Sequence, residues 1–155
     1  MAKGAVASEE LAGKFAAEKE SPYTRWVKNE GLDILDGLYV KNLHTVELKP
    51  WPRRGGKGVY INHEASRTSN DCYVCEIPPG GKLAPQRMLF EEMIYVLEGR
   101  VLTRWGPALE HEIVSEAGDF LFVPPGVPHP QASRRLFRSE EHTSELQSLR
   151  HLVCR

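Results

Sequence analysis

The chain has 155 residues, a formal net charge of −1 and 41% apolar content, one domain's worth of sequence with enough apolar side chains for a core. The near-neutral balance excludes the basic footprint of a nucleic-acid or anionic-membrane binder, and no apolar run approaches the length of a membrane span. Three cysteines are too few for a disulfide framework, and the N-terminus lacks the apolar centre of a secretory signal, so a reducing, cytoplasmic setting is expected.

Residues Ser8 to Glu20 read as a short helix. Ser8 is a candidate N-cap, Glu9 and Glu10 suit the positive end of the helix dipole, and Leu11 and Phe15 share a face. Ser21-Pro22 ends it, because a residue before proline is pushed out of the α region. Residues 1–22 thus form an N-terminal helical segment suited to packing or dimerisation.

Residues 23–70 read as an arm of short strands, LDGLYV and HTVELKPW among them, broken by Gly31, Gly37 and Pro50. Within it, PWPRRGGKG (Pro50 to Gly58) is a basic Gly/Pro loop. Arg53, Arg54 and Lys57 there suit a phosphate or carboxylate, but the ordered spacing of a P-loop is missing, so a solvated connection is the expectation. GVYINH, ending at His63, reads as a strand.

Regular β pattern starts at Asp71. DCYVCEI stops at Pro78-Pro79-Gly80-Gly81. MIYVLEG turns at Glu98-Gly99-Arg100 into VLTRW, and HEIVSE and DFLFV follow a loop at Gly106-Pro107. Short strands with turn signals every few residues predict an all-β barrel or sandwich rather than βαβ units. Cys72 and Cys75 form C-x2-C, but strand residues three apart face opposite ways, so two unrelated cysteines are expected rather than a zinc knuckle. Tyr95, Trp105, Phe120 and Phe122 fit strand packing. Arg87, Arg100 and Arg104 read as exposed, and His44, His63 and His111 have no ligand partner at a recognisable spacing.

Two motifs carry the chemistry. Gly80 is followed by Gln86, Met88, Glu92 and Gly99, and Gly118 by Pro124, Gly126 and His129. This spacing resembles the paired signatures of the cupin superfamily, G-x5-H-x-H-x3,4-E-x6-G and G-x5-P-x-G-x2-H-x3-N. The resemblance implies a jelly-roll antiparallel β-barrel over 71–137 in which two His, a Glu and a later His hold iron or manganese. Carried over by position, the metal site is Gln86, Met88, Glu92 and His129. Glu92 and His129 remain good ligands. Gln86 offers a neutral oxygen, and Met88 a soft thioether ill suited to these ions. Ser133 stands where the second motif closes on Asn.

The resemblance leaves two readings open. One is a dioxygenase- or decarboxylase-like enzyme using Fe or Mn on a small carboxylated or aromatic molecule. The other is a barrel that binds a small molecule, or plays a structural role, without a tightly held metal. The long lead-in resembles the first domain of a two-domain cupin.

The tail RSEEHTSELQSLRHLVCR (138–155) resembles a sequencing adapter translated in frame, so it is expected to be non-native and the chain to be a fragment. A barrel cut short after Phe137 would expose unpaired strand edges, and a homo-oligomer is the expected outcome.

Overall fold

The computed structural model describes residues 22–63, 70–133 and 149–154. The helix expected at Ser8 to Glu20 lies outside these residues. The chain divides into two units, Met1–Gly31 and Leu32–Arg155.

In the first unit a helix, α1, spans Pro22–Asn29. Pro22, expected to stop a helix, starts this one. Its missing N–H falls in the first turn, where no carbonyl would have accepted it, and its fixed φ suits helix entry. Lys28 sits in the last turn, where a cation meets the negative end of the dipole. Gly31 follows with φ of 72°, and its N–H donates to Lys28 O at 3.2 Å.

The second unit is built of strands. In chain order these are β1 (Ile34–Gly37), β2 (Lys49–Trp51), β3 (Gly56–His63), β4 (Asp71–Ile77), β5 (Lys82–Gln86) and β6 (Glu92–Glu98). They continue with β7 (Arg100–Trp105), β8 (His111–Glu116), β9 (Phe120–Val123), β10 (His129–Ser133) and β11 (Leu149–Cys154). One sheet runs β1-β3-β4-β11-β6-β9 with β2 added beside β3, and the other runs β5-β10-β7-β8. The larger sheet ends at β1 and β9 and the smaller at β5 and β8, so among the described residues no continuous ladder closes the barrel. This is the expected all-β jelly-roll class, incomplete as a barrel. No described helix is long and apolar enough to cross a membrane.

Strand β4 is buried almost throughout, which is why its sequence runs apolar without alternating. Tyr73, Cys75 and Ile77 lie on its inner face. Cys72 and Val74 turn outward and cluster with Val59 and Ile61 of β3. That outer cluster is covered by Leu35, Val40, Leu43, Val46 and Leu48 of the arm, which carries the short strands β1, β2 and β3 and, between β1 and β2, an irregular apolar cover. Full burial of each such Val or Ile is worth about 1.5–3 kcal/mol, enough to hold an irregular segment on a sheet.

Strand β11 comes from the segment read as foreign to the barrel. It lies antiparallel between β4 and β6, from Leu149 opposite Ile77 to Cys154 opposite Cys72, and pairs across to β6 from Glu98 to Met93. Both ladder edges that a chain ending at Phe137 would leave open are thereby paired.

One further expectation is corrected. The loop at Pro50 to Gly58 is a hairpin joining β2 to β3, with Trp51 opposite Gly56. Arg54 N–H and Gly55 N–H both donate to Trp51 O, at 3.0 and 2.9 Å, and Arg54 is 0% exposed rather than solvated. Its glycines serve close approach as well as turning: a Cβ on Gly56 would stand 2.4 Å from Glu76 O, and one on Gly58 would stand 2.7 Å from Trp51 Cε3. Tyr95, Phe120 and Phe122 turn outward on β6 and β9 and are 37, 53 and 56% exposed. There they pack on one another, as strand packing predicts, with ring centroids 6.3 Å apart for Tyr95 and Phe120 and 4.9 Å for Phe120 and Phe122.

Candidate binding site between the sheets

Three strand ends bring the first polar group together. Glu92 opens β6, and the alternation of that strand sends Glu92, Ile94 and Val96 to the inner face. Gln86 closes β5, and His129, the first residue of β10, lies opposite it in the ladder. The corner before His129 turns at Gly126 (φ 76°), whose N–H donates to Met88 O at 2.7 Å.

Glu92 and His129 are each 1% exposed. Gln86 Nε2 donates to Glu92 Oε1 and Oε2, at 2.7 and 2.9 Å, and lies 2.8 Å from the Tyr73 hydroxyl. A carboxylate only accepts, so the amide must turn its N–H2 toward Glu92. His129 Nε2 is 2.6 Å from Glu92 Oε2, an ion-pair distance without hydrogen-bond alignment. His129 Nδ1 donates to Val127 O at 2.9 Å.

Of the four residues carried over as metal ligands, the structure therefore gathers Gln86, Glu92 and His129. Met88 is half-buried and holds the corner through its main-chain oxygen. The donor set does not fit the iron or manganese site that the resemblance implies. Gln86 presents nitrogen where a hard ion needs oxygen, and the described residues contain no group of three His, Cys, Asp or Glu able to hold a metal.

A second polar group occupies the inner side, built around Arg54, which the sequence placed in a solvated loop, and His151 of the tail. Arg54 Nη1 donates to Ala84 O, and Ala84 N–H donates to Arg54 O at 2.7 Å, tying the β2–β3 hairpin to β5. The guanidinium carbon is 6.0 Å from the centroid of the Trp51 ring. Arg54 Nε and Nη2 are buried without a protein partner. His151 of β11 is 0% exposed, and neither of its ring nitrogens has a protein partner. Burial, and after it the positive charge of Arg54, pushes the His151 imidazole down to about 3 against the opposing pull of Glu92, so this ring is neutral. Burial likewise pushes the Cys75 thiol up to about 12, with Arg54 pulling the other way. On the smaller sheet, Thr103 and Gln131 are cross-strand partners, both buried, with Thr103 Oγ1 and Gln131 Nε2 unpartnered.

Three buried aromatic rings join the two groups. Trp51, Tyr60 and Tyr73 form a triangle with centroids 5.7, 5.3 and 5.9 Å apart, Trp51 beside Arg54 and the Tyr73 hydroxyl 3.4 Å from Glu92 Oε1.

The other residues singled out in the sequence lie elsewhere. His44 meets Glu98 at 2.8 Å on the surface, and His111 stacks on Trp105. Arg100 and Arg104 pair with Glu116 and Glu112 on the outside. The side chain of His63 lies outside the described residues. Cys72 and Cys75 are both buried free thiols on opposite faces of β4.

Comparison with known proteins agrees with this architecture. No curated protein matches the chain. Among solved structures it is similar to the polyketide cyclase RemF from Streptomyces resistomycificus, at 20% identity and TM-score 0.56 over 76% of this chain and 78% of that one. It is also similar to the Schizosaccharomyces pombe Cnp3 cupin domain, at 14% identity and TM-score 0.56, over 73 and 69% of the respective chains. A cupin 2 conserved barrel domain protein from Salinispora arenicola gives 13% identity and TM-score 0.55, over 76 and 87%. At these identities the likeness is one of fold. Residues 73–132, the stretch that holds Tyr73, Gln86, Glu92 and His129, match the family described as a cupin domain, so this part of the chain is a cupin domain.

Proposed function

We propose that the barrel binds a small molecule between its two sheets and does so without a tightly held metal. The observation that carries this is the state of Glu92. Its carboxylate is already taken up by the Gln86 amide and by the His129 imidazole, both buried with it. A metal entering here would have to displace the amide hydrogen bonds and would find only two strong ligands. Loss of one ligand or of its support commonly lowers metal affinity by 10–100-fold or more. The dioxygenase- or decarboxylase-like reading needs the opposite, a ligand set standing open.

Metal analysis of the purified chain tests the proposal. The expected content is well below one Fe, Mn, Ni or Zn per chain, and a Gln86→His/Met88→His double variant gains metal. Stoichiometric metal in the wild type that disappears in Glu92→Ala or His129→Ala would overturn the proposal and favour the enzyme.

A further inference from the structure

The geometry points to Arg54 as the anchor for the carboxylate of a small organic acid held inside the barrel. This inference rests on the reading of the barrel as a binding site and names the class of its guest. A guanidinium presents donors along three edges. In Arg54 the Nη1 side is used by Ala84 O, and the two unpartnered atoms, Nε and Nη2, are those of one edge. That edge projects two parallel N–H groups at the spacing of the two carboxylate oxygens, the bidentate match that makes arginine a carboxylate receptor.

Charge argues the same way. Arg54 is fully buried, and among the described residues no carboxylate lies within ion-pair reach of it. A buried cation with no counter-charge is costly, and proteins pair such groups. Glu92 does not serve, being held by Gln86 and His129. His151, the other unpartnered group in the field of Arg54, is neutral and supplies a ring nitrogen rather than a charge. The Trp51, Tyr60 and Tyr73 rings give the guest's carbon skeleton an apolar wall.

Thermal melting of the whole chain in a carboxylate-free buffer tests this. The probes are acetate, benzoate and oxalate, their neutral counterparts acetamide and benzamide, and inorganic phosphate. At least one carboxylate is expected to raise Tm by roughly 5 °C near saturation while its amide does not. Arg54→Met is expected to abolish that shift, and Arg54→Lys to reduce it by keeping charge without the two-pronged edge. An amide as effective as its acid, or phosphate acting where no carboxylate does, would overturn the inference in the wild type alone. So would a complete lack of response to all three acids, or a shift that survives in Arg54→Met. A neutral compound that stabilises wild type and Arg54→Met equally would sink the role of Arg54 while leaving the barrel a binding site. Stoichiometric metal would instead remove the reading beneath it.

Discussion

Glu92 and Arg54 are both ionisable, both buried and each lies beside one ring of the same aromatic triangle, yet the fold treats them in opposite ways. Glu92 has partners for both of its oxygens, drawn from β5 and β10. Arg54 has one main-chain carbonyl and an aromatic face, and one edge of its guanidinium has no protein partner. A side chain surrounded like Glu92 is part of the framework. One surrounded like Arg54 has donor atoms left over. Neither identity nor burial distinguishes the two, and only the count of satisfied hydrogen-bonding atoms does.

The contrast predicts unequal costs on removal. Glu92→Leu strands the Gln86 amide and the His129 imidazole in a dry interior, and should cost about 3–5 kcal/mol in urea denaturation. Arg54→Met, of similar length and without charge, should change stability by no more than about 1 kcal/mol in the same buffer. Equal losses would mean that Arg54 is as much a framework residue as Glu92.

The hairpin that delivers Arg54 can be stressed separately. Gly56→Ala places a methyl 2.4 Å from the main-chain oxygen of Glu76, which cannot rotate away, and should cost about 1–3 kcal/mol. Because the same shift would move Arg54 off Ala84, the variant should also weaken any carboxylate effect on Tm.

An effect confined to acid is expected from pH. His151 is held neutral in the folded chain down to about 3, whereas in the unfolded chain it takes up a proton below its ordinary value of 6.5. The unfolded state therefore binds more protons between those values. Stability contributed by this burial is fully present above pH 6.5 and falls progressively as pH drops toward 3. Comparing the Tm profile of wild type with that of His151→Leu checks this, since the variant should lose part of the acid slope.

The sequence made one of the two groups legible. Spacing between the Pro/Gly corners located Gln86, Glu92 and His129, because such corners set where each strand restarts and hence which side chains enter at that end. What spacing could not convey was that Gln86 would turn its nitrogen inward and use up the carboxylate. That depends on Tyr73 and Glu92 both facing it across strands. Arg54 was hidden by its neighbours: Gly55, Gly56 and the adjacent prolines look like a solvated loop, while their real effect is to let the hairpin press against β4 and β5. His151 was set aside with the tail that carries it. For Phe120 and Phe122, strand parity puts both rings on one face without saying whether that face is covered.

The position of β11 has a consequence for assembly of the molecule. Strands β4 and β6 are never neighbours. Each pairs with a segment that emerges from the ribosome more than fifty residues after the end of either. Until that segment arrives, the middle of the larger sheet is a gap flanked by two apolar strands, and folding must wait for a long-range insertion rather than proceed hairpin by hairpin. The half-built sheet offers its unfilled slot to any extended chain nearby, so crowding during synthesis, rather than weakness of the finished fold, is where this protein is most exposed to misassembly.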